Sequence, residues 1–388
     1  MPKSFLPLLI LSLVACWIEV DISVPGFPDM ANYFNTSDAT IQLTIAYNFL
    51  GFCIAALIWG PLSDCYGRRK VMVIGNGLLA LGATLCVFAE NIDFLLFARF
   101  IQGVGASTSA IVVSAMIADT YKGTESSKLI GIMNSVAAIL IAIAPIVGAF
   151  INQLIGWRWN YSIVAIVSVL SFILLAMGLP ETKKNLEKIS LHKVISDYRI
   201  LLLSKRFIAS SLAPSLIYSA AMSFTACAVF LYRETFGLKL MNYALHQFTI
   251  VAAFAITSTL FGRIHTKLGN NRVIILGSIL SLSGTILLVL LSLIAPDSPY
   301  LTTIFMSIFT MGFALIYPPI FSMSLDMYPE IKGTASSLIM SMRAFLVASF
   351  VALSSFLYNG ELLHIALVML VAVVIVSICI ISLLKNKS

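Results

Sequence analysis

Residues 60–70 read Gly60-Pro61-Leu62-Ser63-Asp64-Cys65-Tyr66-Gly67-Arg68-Arg69-Lys70, a compact polar loop set between the apolar runs 41–62 and 71–89. Each run is long enough to cross a hydrocarbon core of roughly 30 Å as a helix. The loop carries more than a connector needs. Glycine permits a tight turn and close helix approach, an aspartate caps a helix or accepts from arginine, and the basic side chains suit one lipid surface. A worn counterpart lies 202 residues on, in Gly262-Arg263-Ile264-His265-Thr266-Lys267-Leu268-Gly269-Asn270-Asn271-Arg272, and Gly277 then stands where Gly75 stands. Asp119-Thr120-Tyr121 and Lys122-Gly123-Thr124 likewise echo Asp326-Met327-Tyr328 and Lys332-Gly333-Thr334. Polar and glycine positions repeating at offsets of 202 to 210 residues mark a duplicated unit.

Outward from the loop, the whole chain has the same texture. Its 388 residues are 60% hydrophobic and 11% charged, and mean hydropathy is +1.00. Soluble domains carry about twice that share of charge, so lipid is the solvent. Apolar runs between polar breaks predict an all-α membrane protein of twelve transmembrane helices near 5–27, 41–62, 71–89, 93–118, 128–152, 158–179, 205–231, 243–265, 272–294, 299–324, 332–357 and 361–383. These divide into two pseudo-symmetric six-helix bundles, residues 1–180 and 205–388, joined by a charged cytoplasmic linker, 181–204, with room for a short surface helix. The apolar start ending at Leu13-Val14-Ala15-Cys16 has the look of a cleavable leader, but it runs on through Trp17 and Ile18 and reads better as the first span.

The net charge of +7 would suit nucleic acid in a soluble protein. Here the basic residues lie in loops. Nineteen Lys and Arg fall on the side of the amino terminus, three (Arg158, Arg233, Lys239) on the other side, and two (Arg99, Arg343) within spans. That asymmetry puts both termini in the cytoplasm and excludes nucleic acid as a partner. The six cysteines are scattered without the clustering of a metal site or disulfide framework. Four dispersed histidines and no nucleophile constellation or phosphate loop argue against an enzyme. No sensory domain points to a receptor. No cofactor or metal is expected.

The loop at 60–70 resembles the signature loop of the major facilitator superfamily. That resemblance implies a cytoplasmic gate formed by Gly60, Asp64, Gly67, Arg68, Arg69 and Asp119, with Asp64 meeting the start of span eleven near Gly333 and Thr334. Arg99-Phe100-Ile101-Gln102-Gly103-Val104-Gly105 is similar to the second motif of proton-coupled members, in which the arginine tunes proton binding. Ala144-Pro145-Ile146-Val147-Gly148-Ala149 resembles the helix-bend motif of the antiporter branch through Pro145 and Gly148, although Leu140, Ala144 and Ala149 stand where that branch often has glycine. Asp21-Ile22-Ser23-Val24-Pro25-Gly26-Phe27-Pro28 and Leu179-Pro180-Glu181-Thr182 extend the likeness to MdfA-like and Bcr/CflA-like drug antiporters over nearly the whole chain. The resemblance implies a monomer in the bacterial inner membrane that exchanges a small solute for protons.

Candidate coupling residues follow from charge in apolar runs. Glu19 and Asp21 are the carboxylates of span one; burial favours the neutral form of such a group and a nearby arginine the charged form. Residues two apart on a helix point about 200° apart, so both acids face one cavity only if Pro25 distorts the helix. Family position favours Asp21, with Glu19 second. A charge such as Arg99 costs roughly 2.5 kcal/mol or more in a span unless partnered or hydrated; its alternative placement is at the outer face, snorkelling. Arg343, in span eleven, either favours an anionic solute or pairs with an acid such as Glu19 across the halves. Tyr47, Asn48, Gln102, Tyr218, Phe224 and Tyr317 are candidate cavity walls. The expected function is proton-coupled efflux of drug-like or small metabolite solutes by alternating access. The alternative is a transporter of a carboxylated solute such as a siderophore, in either direction.

Overall fold

The computed structural model describes residues 4–121, 124–183, 186 and 191–385; Lys122 and Gly123 of the repeat and most of the charged linker before residue 191 lie outside them. Every regular element among the described residues is helical, as lipid demands of chains that must satisfy their backbone polar groups internally. The amino-terminal half holds α1 (Phe5–Asp21), a 3-10 turn (Val24–Gly26), α2 (Phe27–Phe34), α3 (Asp38–Tyr66), α4 (Arg68–Val87), α5 (Ile92–Thr120), α6 (Thr124–Ile155) and α7 (Arg158–Gly178). After α8 (Leu191–Leu203) come α9 (Lys205–Phe230), α10 (Leu240–Leu268), α11 (Asn270–Ile294), α12 (Pro299–Asp326), α13 (Lys332–Leu357) and α14 (Leu362–Lys385). Eleven spans are long and apolar enough to cross a membrane, with α1 and α2 counted as one, and α6 supplies another through its apolar stretch Ile139–Ile155.

Local signals place the helix ends. Ser37, Asn91, Ser204 and Ser298 cap α3, α5, α9 and α12 by accepting from the backbone N–H three residues on, which satisfies donors a helix start otherwise leaves open. Gly67 at φ +95° and Gly269 at φ +76° turn the chain from α3 to α4 and from α10 to α11, so the two copies of the repeated loop share a left-handed hinge that glycine adopts without strain. The first span extends to Phe34 rather than residue 27, because the chain breaks at Ser23–Gly26 and resumes as α2 with Pro28 in its first turn. The short helix expected in the linker is α8. It lies against α9 and α13, and its Tyr198 hydroxyl donates to the Leu57 carbonyl of α3 at 2.9 Å.

Packing repeats with the sequence. In the first half a side chain at Gly75, Gly82 or Gly105 would collide with α5 or α4, and in the second half the same holds at Gly277, Gly284 and Gly312 between α11 and α12. Small residues let helix backbones approach closely where no hydrophobic effect drives helices together. The halves meet along α3 against α13 and α6 against α10, and the 3-10 turn and α2 pack on α9. No comparably extended contact joins α5 to α12 among the described residues.

Candidate functional site

Helix alternation defines two ends. The basic end carries the starts of α1 and α4, the ends of α3 and α5, and α8. The opposite end carries α2, the start of α3 and the end of α9. About 10 Å in from the opposite end, by helix rise, Arg99 lies fully buried on α5. Its Nη1 is 3.9 Å from Glu19 Oε2 of α1 and donates to Gln102 Oε1 at 2.8 Å and to the Glu19 carbonyl at 3.4 Å. Its Nε donates to the Thr44 carbonyl of α3 at 3.4 Å, and its guanidinium stands 5.9 Å from the Tyr161 ring of α7. Asn48 Nδ2 donates to Glu19 Oε2 at 3.2 Å and to the Arg99 carbonyl at 3.3 Å. Among the described residues Arg99 Nη2 and Gln102 Nε2 have no hydrogen-bond partner. Four helices thus converge on one polar knot inside the amino-terminal half. The guanidinium is enclosed by protein, with Arg99 fully buried.

This arrangement separates the two acids of α1. Glu19 faces the knot, whereas Asp21, also buried, lies within electrostatic reach of Tyr218 on α9 and Tyr243 on α10. The break in the span begins only after Asp21, so ordinary helical geometry still applies and the carboxylates point to different halves. Of the two candidate acids, Glu19, the second choice from sequence, is the one beside Arg99. Gly148 of the bend motif sits where a side chain would strike the Ile22 carbonyl, and its own carbonyl accepts from Asn160 at 3.2 Å. Pro145, three residues before it, lies inside α6.

At the basic end the signature loop folds onto its own half. Asp64 bonds Arg68 at 2.7 Å and Lys183 at 2.9 Å; Arg68 bonds Asp119 at 3.0 Å and also Ser63. Glu181 accepts from the backbone N–H of Arg68 at 2.9 Å and of Arg69 at 3.1 Å, closing the start of α4 with a carboxylate where the helix dipole favours one. A Cβ at Gly67 would meet that same carboxylate. Among the described residues Asp64 pairs with Arg68 and Lys183, not with Gly333 or Thr334 as expected. Gly60, one turn earlier, instead abuts Ser337 of α13, because α3 and α13 approach over this stretch and Asp64 turns inward to its basic partners.

Between the halves, Arg343 of α13 donates through Nη1 to the Tyr317 hydroxyl at 2.9 Å and lies 4.9 Å from the centre of the Tyr218 ring. Among the described residues no carboxylate lies within ion-pair distance of it, so the expected alternative of pairing with Glu19 is corrected. Glu19 is taken by Arg99. Tyr218 meets Phe49 of α3 at 6.3 Å and Phe313 of α12 at 6.1 Å, and Tyr317 stacks on Phe321 at 5.6 Å. Cys16, Tyr218, Tyr317, Phe321 and Arg343 are each partly exposed although helices surround them, which marks a gap in the seam at mid-height.

Two candidate wall residues fall elsewhere. Tyr47, 40% exposed, stands in an outward stripe with Leu50, Ile54 and Ile58, one position round the helix from the inward-facing Asn48. Phe224 is fully buried in the packing of α9. Tyr161 of α7 and Glu181 were not among the expected site residues. A tyrosine or loop glutamate is unremarkable in sequence, though Glu181 sits in the Leu-Pro-Glu-Thr segment already noted.

Comparison with known proteins agrees with this architecture. Residues 9–353 match the model of the Major Facilitator Superfamily. The multidrug resistance protein MdtM of Escherichia coli O157:H7 is 26% identical over 375 residues, covering 96% of this chain and 92% of MdtM. The multidrug transporter MdfA of Edwardsiella ictaluri is 25% identical over 330 residues, covering 85% of this chain and 80% of MdfA. The partially occluded inward-open conformation of the xylose transporter XylE from E. coli superposes with a TM-score of 0.75 at 14% identity, covering 98% and 97% of the two chains. A family match across most of the chain, on a duplicated helical fold built around the signature loop, leads to one conclusion: this chain belongs to the major facilitator superfamily.

Proposed function

We propose that this transporter exports drug-like or small metabolite solutes in exchange for protons by alternating access, in a bacterial inner membrane with both termini in the cytoplasm. The charge asymmetry supports that orientation, making the basic end cytoplasmic. Residues 1–180 and 205–388 act as the rocking units and 181–204 as the tether between them. Solute sites of such duplicated bundles lie at their interface near the midplane, where the gap beside Arg343, Tyr218 and Tyr317 stands.

The observation that carries the reading is the Glu19–Arg99 contact. At 3.9 Å it is loose, and Arg99 keeps an unpartnered Nη2. Protonating Glu19 removes the one carboxylate Arg99 touches, so the guanidinium turns to the carbonyls and Gln102 already around it. That rearranges the inner wall of α1 and α5. Relatives with multidrug names support the solute class.

The test is transport into proteoliposomes with and without an imposed pH gradient, using neutral, cationic and carboxylate drug-like solutes. Wild-type protein concentrates solute on the acidic side. Glu19→Gln exchanges solute without responding to the gradient, whereas Asp21→Asn keeps the response. An unchanged response in Glu19→Gln and in the Glu19→Gln/Asp21→Asn double variant contradicts the proposal.

A further inference from the structure

We infer that Arg343 is the anion-binding point of a solute site between the halves, and that the preferred solute carries a carboxylate on a flat apolar or aromatic body. The inference rests on the transport reading above and narrows its solute class. An arginine within a span is costly unless partnered, and intramembrane charges normally meet an opposite charge. Arg343 does not. It is held by the Tyr317 hydroxyl at 2.9 Å and by the face of Tyr218 at 4.9 Å, and among the described residues its buried Nε has no hydrogen-bond partner.

The candidate counter-ions nearby are accounted for. Glu19 is engaged by Arg99 and Asn48. Asp21 is within electrostatic reach of Tyr218 and Tyr243 but forms no ion pair with Arg343. Its titratable neighbours include the Cys16 thiol of α1 and the two tyrosines. With Nη1 engaged by Tyr317 and Nε unpartnered among the described residues, the guanidinium keeps hydrogen-bonding capacity for a carboxylate, which its planar fork matches with two parallel bonds.

The surroundings fix the rest of the ligand. Phe49 and Phe313 flank Tyr218 from opposite halves at 6.3 Å and 6.1 Å, and Phe321 stacks on Tyr317. Aromatic faces spaced this way accept a flat apolar body by offset or edge contacts. Because Phe49 and Arg343 belong to different halves, such a solute touches both rocking units at once. Bare cations lack a partner at this point, since Arg343 repels them.

The experiment is equilibrium binding to the purified full chain in nanodiscs, without any gradient, using naphthoate, its uncharged amide naphthamide, and the cation naphthylmethylammonium. Wild-type protein should bind naphthoate about tenfold or more tightly than naphthamide, the scale of a charge-assisted hydrogen bond, and the cation most weakly. Arg343→Gln should erase the preference. Arg343→Lys, which keeps the charge but not the fork, should retain part of it, and Tyr317→Phe should reduce it. Monodispersity of each variant guards against simple misfolding. Equal binding of acid and amide to the wild type, binding of neither, or a preference that survives Arg343→Gln overturns the inference. Since no proton gradient is applied, that failure leaves the role of Glu19 to be judged by the transport assay.

Discussion

A buried arginine on α5 facing one carboxylate makes a sharp energetic prediction. Breaking a buried ion pair from one side typically costs about 3–5 kcal/mol, whereas removing both charges costs less. Glu19→Gln and Arg99→Gln should each lower thermal stability in detergent, and the double variant should be less destabilised than the two effects added; strict additivity in a double-mutant cycle would show that the two side chains do not act as a pair. The charged and amide members of this knot were readable from sequence because Glu19, Arg99, Asn48 and Gln102 interrupt apolar runs at a cost that demands a purpose. Tyr161 was not, since a tyrosine in a span is ordinary and only the packing of α7 against α4 and α1 brings its ring to Arg99. Tyr47 was misplaced for a simpler reason. Adjacent residues on a helix differ by about 100°, so Asn48 turns inward while Tyr47 turns out.

Among elements, the repeat was the most legible feature, and structure gives it a physical meaning. Gly67 and Gly269 make the same hinge, and glycines on α4 and α5 serve the close contact that glycines on α11 and α12 serve in the other half. Gly103 is a related case, because its Cβ would strike the Asn48 carbonyl, while that of Gly51 would strike Phe100. Overpacking of this kind costs typically 1–3 kcal/mol. Gly103→Val should therefore lower the yield of monodisperse protein and weaken gradient-driven transport by displacing Asn48 from Glu19, while Gly262→Val, where an added Cβ meets nothing within 4 Å among the described residues, should do neither. Equal tolerance at both positions would contradict the close α3–α5 approach. The break after α1 was less legible: Pro25 was visible, but whether it bends the helix before or after the acids depends on where α6 and α7 receive Ile22 and Gly26, contacts no local pattern encodes.

On the scale of the whole molecule, the two ends are built differently. At the opposite end Asp29 of α2 accepts from Asn152 of α6 at 2.6 Å and pairs with Arg233 beyond α9 at 3.4 Å, while Cys227 of α9 donates to Gln42 of α3 at 3.3 Å. At the basic end Asp64, Arg68 and Asp119 pair within the first half, Asp64 also pairs with Lys183 of the linker, and among the described residues α5 and α12 share no extended seam. Among the described residues, polar contacts thus join the halves at the opposite end, whereas the Asp64–Arg68–Asp119 ion pairs of the basic end stay within the first half. The apolar patterning does not encode which end is open, because either state satisfies it. The central claim, that the halves rock so that the two ends open in turn, is tested most directly by pulsed electron-electron distance measurements on spin-label pairs, one pair spanning α2 and α9 and another spanning α5 and α12. In wild-type protein, the account predicts that the distance at one end shortens as the other lengthens when pH or solute is changed, and that Arg233→Ala, which removes a partner of Asp29, shifts the populations toward opening of the α2–α9 end. Distances at the two ends that stay fixed, or that lengthen and shorten together, would contradict it.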